Sequence, residues 1–224
     1  MSGTPGRAEA GVIFDLDGVL LDSEELHYRA YSEVLAQFGV QVSREEYAVH
    51  WIGEGTGPEY AVHTYRLPIT AADLRRQKAP LYRKLLESSV SLMPGARAAV
   101  DRLAPHFRLA IATNSSRADV HWVLARFGLK EAFQAVIARE DYQHAKPAPD
   151  AYLAARAALE LPAERCLVLE DSPRGVRAAQ AAGLAVVAVP NAFTACCTFP
   201  EGTEMATSLD VVTPEFVRAH LRSS

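Results

Sequence analysis

Near its amino terminus the chain reads Gly11-Val12-Ile13-Phe14-Asp15-Leu16-Asp17-Gly18, a short apolar run followed by two aspartates. The run is too short for a helix and rich in β-forming residues, so it predicts a buried strand. Alternate strand residues face the same way, which places the carboxylates of Asp15 and Asp17 together at the carboxyl end of the strand. Gly18 allows a sharp turn and a close approach of the backbone to a ligand. Two neighbouring carboxylates need a cation or a shared proton, which is typical of an active site.

The composition is that of a soluble globular enzyme. Its 224 residues, 49% hydrophobic and 22% charged, suit one domain or a domain with an insertion. A formal charge of −4 without any basic run argues against nucleic-acid binding. The first ten residues lack the apolar core of a signal peptide, and no apolar run reaches membrane-spanning length. The three cysteines show no metal spacing and favour a reducing compartment, so we expect a cytoplasmic monomer without a membrane partner.

Residues 23–90 have a helical pattern. Apolar residues at helical spacing predict a first helix that ends near Gly39, and further helices are predicted at 45–50, 59–65 and 71–87. Between two of them, Gly53-Glu54-Gly55-Thr56-Gly57-Pro58 predicts a loop because of its glycines. The segment is therefore expected to form a separate helical unit.

From residue 91 onward, predicted helices and strands alternate. The strands are predicted at 107–112, 133–138, 166–169 and 185–189, and the helices at 96–103, 118–127, 150–159 and 175–182. The segment after Pro190 carries no interpretable signal beyond a helix candidate at 213–221. Alternation predicts an α/β fold, a Rossmann-like parallel sheet with helices on both faces. Residues 1–22 and 91–224 would form this core, and residues 23–90 an inserted all-helical cap over the carboxyl ends of the strands, where such sheets bind ligands.

Polar clusters follow further predicted strands. Thr113-Asn114-Ser115-Ser116 precedes a helix, and its side chains together with the helix amides suit a phosphate, although one serine also suits a helix cap. Lys146 lies beside two prolines that hold its segment extended, although a single lysine is commonly a solvated surface charge. Glu170-Asp171-Ser172 repeats the pattern of acids after a strand, and Asp171 or Ser172 also suits a cap.

The charges of these clusters are consistent with one shared site. Four acids are expected to converge there, namely Asp15, Asp17, Glu170 and Asp171. Lys146 and one divalent cation would reduce their combined charge to a single negative charge before a phosphate arrives. Hard oxygen ligands without a nearby histidine or cysteine select Mg²⁺ rather than zinc or copper. The sequence therefore predicts a magnesium site.

The ordered motifs resemble those of the haloacid dehalogenase-like superfamily. They are Asp15-Leu16-Asp17-Gly18-Val19, Thr113-Asn114, Lys146-Pro147 and Glu170-Asp171. Each motif is weak alone, but the ordered set at the ends of predicted strands is specific. The helical insertion after the first motif resembles the subgroup that contains phosphoglycolate phosphatase, sugar-phosphate phosphatases and β-phosphoglucomutase.

The resemblance implies a Mg²⁺-dependent phosphatase that acts on a small phosphorylated metabolite, such as a sugar phosphate or phosphoglycolate. Asp15 would be the nucleophile that forms an aspartyl-phosphate. Asp17 would be the acid and base, and would offer its backbone carbonyl to the metal. Asp171 with Glu170 would bind Mg²⁺ together with Asp15, since phosphoryl transfer needs mainly alignment and charge stabilisation.

The resemblance also implies a set of substrate-binding residues. Thr113, Asn114 and Lys146 would hold the phosphoryl oxygens, with Gly18 beside them. Residues 23–30 resemble β-phosphoglucomutase and its near relatives, including His27 on the first cap helix. His27 is equally consistent with a polar residue on a helix surface.

Three alternatives to hydrolysis remain open. A mutase holds a second phosphate through an arginine in the cap's glycine loop, but that loop has none here, unless Arg44 or Arg66 reaches the site. A dehalogenase would leave Asp17 and the pair Glu170-Asp171 without a task. A non-catalytic phosphometabolite-binding protein is disfavoured because both aspartates of the first motif are present.

The glycine loop also supplies candidates for choosing the substrate. Glu54 and Thr56 lie at its tip, and loop tips near a cleft are well placed to contact a leaving group.

Overall fold

The computed structural model describes residues 8–221 of the chain. Its strands are β1 Gly11–Phe14, β2 Leu21–Asp22, β3 Ser91–Leu92, β4 Arg108–Ala112, β5 Ala135–Ile137, β6 Cys166–Glu170, β7 Ala185–Ala188 and β8 Glu204–Met205. Its helices are α1 Glu24–Ala36, α2 Arg44–Tyr47, α3 Gly57–Thr64, α4 Ala71–Ser89, α5 Ala96–Leu103, α6 Arg117–Arg126, α7 Asp150–Leu159, α8 Pro173–Ala181 and α9 Pro214–His220, with a π-helical segment at Ala48–Glu54. None of these helices has both the length and the apolar character that crossing a membrane requires.

A parallel sheet forms the centre of the described residues, with strand order β5-β4-β1-β6-β7-β8. Val12 of β1 pairs with Leu109 of β4 on one side and with Leu167 of β6 on the other. Successive β1 side chains point to opposite faces, so Phe14 and Ile13 enter separate apolar clusters. Helices α5, α6 and α9 contribute to the first cluster, and α7 and α8 to the second. The predicted α/β fold with helices on both faces is confirmed.

Helices α1 to α4 form the inserted cap over the carboxyl edge of the sheet. Helix α1 packs along α4, and the cap has its own buried apolar cluster. Aromatic rings dominate part of this cluster, and Tyr47 stacks on Trp51 with ring centroids 5.4 Å apart. The cap is therefore a packed unit that brings its own core to the site.

The predicted loop at 53–58 is only a brief turn. The π-helical segment continues to Glu54, and α3 already begins at Gly57. Gly55 makes the reversal with a φ of 77°, a conformation that favours glycine. Pro58 fits the first turn of α3 because the amide hydrogen that proline lacks has no helical partner there.

A two-stranded antiparallel ribbon joins the cap to the core. Leu21 pairs with Leu92, and the Met93 amide donates to the Leu20 carbonyl at 3.0 Å. Strands of two residues are too short to show an alternating pattern, so the sequence analysis did not predict them. The ribbon lies at the predicted boundaries of residues 22/23 and 90/91, which stay a prediction.

The segment after Pro190, uninterpreted in the sequence, packs on both units. Phe193 lies against Tyr28 and Tyr47 of the cap, with ring centroids 6.1 Å and 5.9 Å away. Strand β8 extends the sheet, and α9 buries Val217 in the core. This segment therefore ties the cap to the sheet.

Candidate active site

A cavity of about 400 Å³ lies where the carboxyl edge of the sheet faces the cap. Most predicted site residues line it, namely Asp15, Asp17, His27, Thr113, Asn114, Lys146 and Asp171. Gly18 and Glu170, also predicted, do not line this cavity. The polar clusters that the sequence predicted to meet are thus brought together by the ends of β1, β4 and β6.

Lys146 is buried at the centre of the site rather than solvated on the surface. Its Nζ donates to Asp15 Oδ1 at 2.6 Å and to Glu170 Oε1 at 2.8 Å, and its side chain is 3% exposed. Burial lowers the pKa of Lys146, but the two carboxylates outweigh this effect and hold the pKa above its usual range. Lys146 therefore stays charged and fixed beside Asp15.

Asp15, Glu170 and Asp171 form a buried group of acids. Each offers an oxygen atom, and these atoms lie within 4.8 Å of one another. Burial raises the pKa of Asp15 to about 7 despite the attraction of Lys146, and burial together with Glu170 raises the pKa of Asp171 well above its usual value. Three crowded carboxylates beside one ammonium group leave excess negative charge, and their oxygen donors fit a hard divalent cation.

The carboxylate of Glu170 is already saturated with hydrogen bonds. Its Oε1 accepts from Lys146 and Tyr152, and its Oε2 accepts from the Asp171 amide and from the amide and hydroxyl of Ser172. A carboxylate offers about four lone-pair sites, and these bonds occupy them. Glu170 therefore positions Lys146 and the start of α8, and its predicted role as a metal ligand stays a prediction.

Asp171 lines the cavity, and a hydrogen bond from Asn191 holds its carboxylate in place. The Asn191 amide Nδ2 donates to Asp171 Oδ2 at 2.7 Å and lies 3.3 Å from the Gly18 carbonyl oxygen. Gly18, with a φ of 81°, packs so closely against Asp171 that a Cβ there would overlap its carboxylate. Gly18 thus makes room for Asp171, and its predicted contact with the substrate stays a prediction.

Asp17 is held by groups that donate to its carboxylate. Ser23 Oγ donates to Oδ1 at 2.5 Å, Ser115 Oγ donates to Oδ2, and His27 Nε2 lies 3.5 Å from Oδ1. Burial raises the pKa of Asp17, but these donors outweigh it and hold the pKa below its usual range. These donors occupy the Asp17 carboxylate, which is not part of the group of three acids, so a metal contact by Asp17 would fall to its backbone carbonyl.

His27 lies inside the cavity rather than on a helix surface. Its ring stacks on Tyr82 with centroids 3.9 Å apart, and its Nδ1 faces Lys78 Nζ. Burial and the Lys78 ammonium lower the pKa of His27, which favours the neutral ring. With Lys78 donating to Nδ1, the proton of the neutral ring lies on Nε2 and faces Asp17. His27 therefore positions Asp17 as a hydrogen-bond donor.

The segment after β4 presents its polar groups in an ordered way. Asn114 Oδ1 accepts from the Tyr142 hydroxyl at 2.7 Å and from the Lys146 amide at 3.2 Å, which leaves the Nδ2 donor for the cavity. Thr113 Oγ1 accepts from the Ser115 amide at 3.0 Å. Ser116 is the helix cap, since its Oγ accepts from the Asp119 amide at the start of α6. The prediction that one serine caps this helix is confirmed.

Comparison with known proteins identifies the family. The haloacid dehalogenase-like hydrolase family matches residues 12–189. The chain belongs to this family. Protein CbbY of Rhodobacter capsulatus is 38% identical over 195 residues, which cover 82% of this chain and 86% of that protein. Fructose-1-phosphate phosphatase YqaB of Escherichia coli (strain K12) is 34% identical over 188 residues, which cover 80% of this chain and 96% of YqaB.

Solved structures of the family share the whole architecture. The crystal structure of CbbY from Rhodobacter sphaeroides in complex with phosphate has a TM-score of 0.77 and 31% identity, and it covers 94% of this chain and 99% of that chain. A mutant of the same CbbY in complex with xylulose-(1,5)bisphosphate has a TM-score of 0.77 and 31% identity, covering 96% and 100%. The predicted resemblance is confirmed, and the chain is a haloacid dehalogenase-like phosphatase, a phosphoric monoester hydrolase.

Several cap residues that the sequence suggested as contacts for the substrate lie outside the cavity. Glu54 is exposed and bonds to His50 and Thr56 instead of lining the cavity. Arg44 pairs with Glu25 at 2.5 Å on the outside of the cap, and Arg66 is exposed. None of these three side chains lines the cavity in this structure.

The sequence reasoning missed two residues that the structure brings to this site. Asn191 comes just after β7, so the signal that identified Asp171, a polar residue following a strand, also applied to it. Arg174 lies in the first turn of α8, three positions after Asp171, and lines the cavity. A charged residue inside a helix commonly faces solvent, so no sequence signal distinguished Arg174 from its neighbour Arg177.

Proposed function

We propose that the protein is a Mg²⁺-dependent phosphatase that hydrolyses a small phosphorylated sugar, or a phosphoglycolate-like acid, through an aspartyl-phosphate on Asp15. One observation carries the proposal. Asp15 has a buried ammonium 2.6 Å away and two further carboxylates whose oxygens lie within 4.8 Å. The relatives support a sugar substrate, because one is a fructose-1-phosphate phosphatase and another was crystallised with xylulose-(1,5)bisphosphate.

The residues suit a reaction in two steps. The Asp15 carboxylate attacks phosphorus while the bond to the leaving alcohol oxygen breaks, and Asp17 gives that oxygen a proton. Water then attacks the aspartyl-phosphate, Asp17 takes its proton, and inorganic phosphate and free Asp15 result. Asp17 has to carry a proton at the start of the first step, and the donors around it favour the ionised form that accepts a proton in the second step.

The buried group of Asp15, Glu170 and Asp171 is the reason for proposing Mg²⁺ as the cofactor. Asp15 and Asp171 would hold Mg²⁺, with the Asp17 carbonyl and the predicted ligand Glu170 beside them. When bound, the ion supplies positive charge that offsets the buried acids and the incoming phosphate. Lys146 and the Asn114 amide would bind phosphoryl oxygens, and Lys146 keeps Asp15 oriented.

A β-phosphoglucomutase-like mutase is the second candidate. The sequence argued against it because the cap's glycine turn lacks an arginine. In the structure Arg174 reaches that turn from the core, since its guanidinium lies against Gly55. An arginine therefore lies beside that turn, which supports the mutase candidate, although this arginine comes from α8.

One assay tests the proposal and separates the candidates. Phosphate release is measured with Mg²⁺ on a panel of phosphorylated sugars and acids, while conversion of glucose 1-phosphate to glucose 6-phosphate is followed in parallel. Hydrolysis of a panel member together with a phosphoryl adduct on Asp15 supports the phosphatase. Interconversion without net phosphate release would replace it with the mutase. A cytoplasmic location and a monomeric state stay predictions from the sequence.

A further inference from the structure

Arg174 enters the catalytic cavity without a partner. Its Nε is buried and has no hydrogen-bond partner, and among residues 8–221 no acid forms an ion pair with its guanidinium. Glu24 lines the same cavity, but its carboxylate accepts from the Tyr47 hydroxyl instead. Glu24 attracts the guanidinium through space without bonding to it, so Arg174 keeps unused donors that suit an anion arriving with a ligand.

The other cations of the cavity are already engaged. Lys146 is bound by Asp15 and Glu170, and Arg75 by Glu59 at 2.7 Å. Lys78 contacts the His27 ring, and Arg139 donates to the carbonyls of residues 142 and 143. Within the described part of the chain, Arg174 is thus the cavity cation for which the structure shows no hydrogen-bond partner.

The guanidinium of Arg174 lies against the cap. Arg174 lies in the first turn of α8, on the core, but its guanidinium rests against Gly55 of the cap. A Cβ at Gly55 would lie 2.5 Å from one guanidinium nitrogen and 2.7 Å from Cδ of Arg174. The bare backbone of the turn therefore covers the guanidinium and shields it from water, which strengthens its attraction for an anion.

We propose that Arg174 determines specificity by binding a second anionic group, a phosphate or a carboxylate, of a substrate whose first phosphate is transferred to Asp15. The inference rests on the proposed phosphatase function and adds the substrate class. The planar guanidinium presents paired donors that match the oxygens of phosphate and carboxylate. The neutral remainder of the substrate would lie between the two anions, against the cap residues Tyr47 and Trp51 that line the cavity.

Matched substrates and matched variants test this assignment. Glucose 1-phosphate is compared with glucose 1,6-bisphosphate, fructose 1-phosphate with fructose 1,6-bisphosphate, and glycerol 3-phosphate with 3-phosphoglycerate, which adds a carboxylate. For Arg174→Gln we expect KM to rise about 10- to 100-fold for the doubly anionic member of a pair and to change little for its partner, with kcat largely kept. Arg174→Lys should restore part of the affinity. The pair that responds distinguishes a phosphate from a carboxylate.

Arg177→Gln is the control. Arg177 lies one turn further along α8 and donates to the Gly53 carbonyl of the cap at 2.6 Å, so it reports loss of cap docking without a cavity cation. An equal rise in KM for both members of a pair, or the same pattern in Arg177→Gln, would overturn the proposal and assign Arg174 to cap docking.

Binding without turnover separates this proposal from the proposed function. In the Asp15→Asn background, calorimetry with glucose 1-phosphate and glucose 1,6-bisphosphate measures affinity even if no substrate is hydrolysed. We expect the bisphosphate to bind more tightly, and Arg174→Gln to abolish the difference. Equal affinities that Arg174→Gln leaves unchanged would reject Arg174 as the anion site, whereas phosphate release by the wild type would still support the phosphatase.

Discussion

The core and the cap build their sides of the cavity differently. On the core side, polar residues follow directly after strands and hold one another, as Glu170 holds Lys146 and Asn191 holds Asp171. On the cap side, the wall comes from residues spaced along helices, and it combines aromatic rings such as Tyr47 and Trp51 with charged side chains such as Lys78. In the proposed function, the chemistry of phosphoryl transfer would thus rest on the strand ends. The contacts with the rest of the substrate would rest on an insertion whose surface can change without disturbing those ends.

The core side is tested most strongly at Asp15. Asp15→Asn keeps the shape of the side chain but removes the nucleophile, so we expect kcat to fall by at least about 10³-fold. Thermal stability should be unchanged or higher, because one of three crowded carboxylates loses its charge. Phosphate-release kinetics and thermal unfolding measure the two effects. Asp22→Asn, at an exposed position of β2, is the control. Turnover at the wild-type rate by Asp15→Asn would exclude Asp15 as the nucleophile.

Removal of the metal should have the next largest effect. We expect chelation with EDTA to lower activity by about 10²-fold or more and Mg²⁺ to restore it. Mg²⁺ should also raise the melting temperature, since an ion that binds only the folded state at 100 times its Kd adds about 2.7 kcal/mol. Asp171→Asn should lose this rise, whereas Glu204→Gln, at an exposed acid, should keep it. A wild-type melting temperature that is insensitive to Mg²⁺ counts against the metal assignment.

A substitution at Gly175 tests whether the position of Glu170, which holds Lys146, matters for catalysis. A Cβ there would overlap the Glu170 carboxylate, so Gly175→Ala should displace Glu170 and, through it, Lys146. We expect a loss of about 1–3 kcal/mol in the free energy of unfolding and a fall of about 10-fold in kcat. Gln180→Ala, exposed on the same helix, should change neither quantity. If Gly175→Ala leaves kcat unchanged, the position of Glu170 is not required for catalysis.

The link between the cap and the core should give the smallest effect. Phe193→Ala removes the half-buried ring that packs on Tyr28 and Tyr47, and we expect KM to rise a few-fold because the cap closes less firmly. The free energy of unfolding should fall by about 1–2 kcal/mol. Phe216→Ala on α9 is the matched control, since it removes a half-buried ring far from the cap. A similar KM change in both variants would show a general loss of stability instead.

The same division explains what the sequence could predict. Asp15 and Asp171 were predicted because a buried strand and a polar residue after it are both local patterns, whereas Lys146 was predicted from the two prolines beside it and from the resemblance to the family. The π-helical segment and the extent of the glycine turn were not, because apolar spacing does not distinguish α from π geometry over a few residues. Arg174 and Asn191 acquire their roles only from the approach of the cap and from the turn after β7. Such contacts join residues far apart in the sequence.

The ribbon of β2 and β3 offers a place at which the cap can be removed from the enzyme. Because the chain enters and leaves the insertion through adjacent, hydrogen-bonded strands, a few linker residues between Leu21 and Leu92 could replace the whole cap without rethreading the sheet. We expect such a shortened chain to keep the sheet and the acid group while losing the aromatic wall and the backbone that covers Arg174. Caps from other members of the family could be grafted at the same junction, which would make substrate choice exchangeable as a unit.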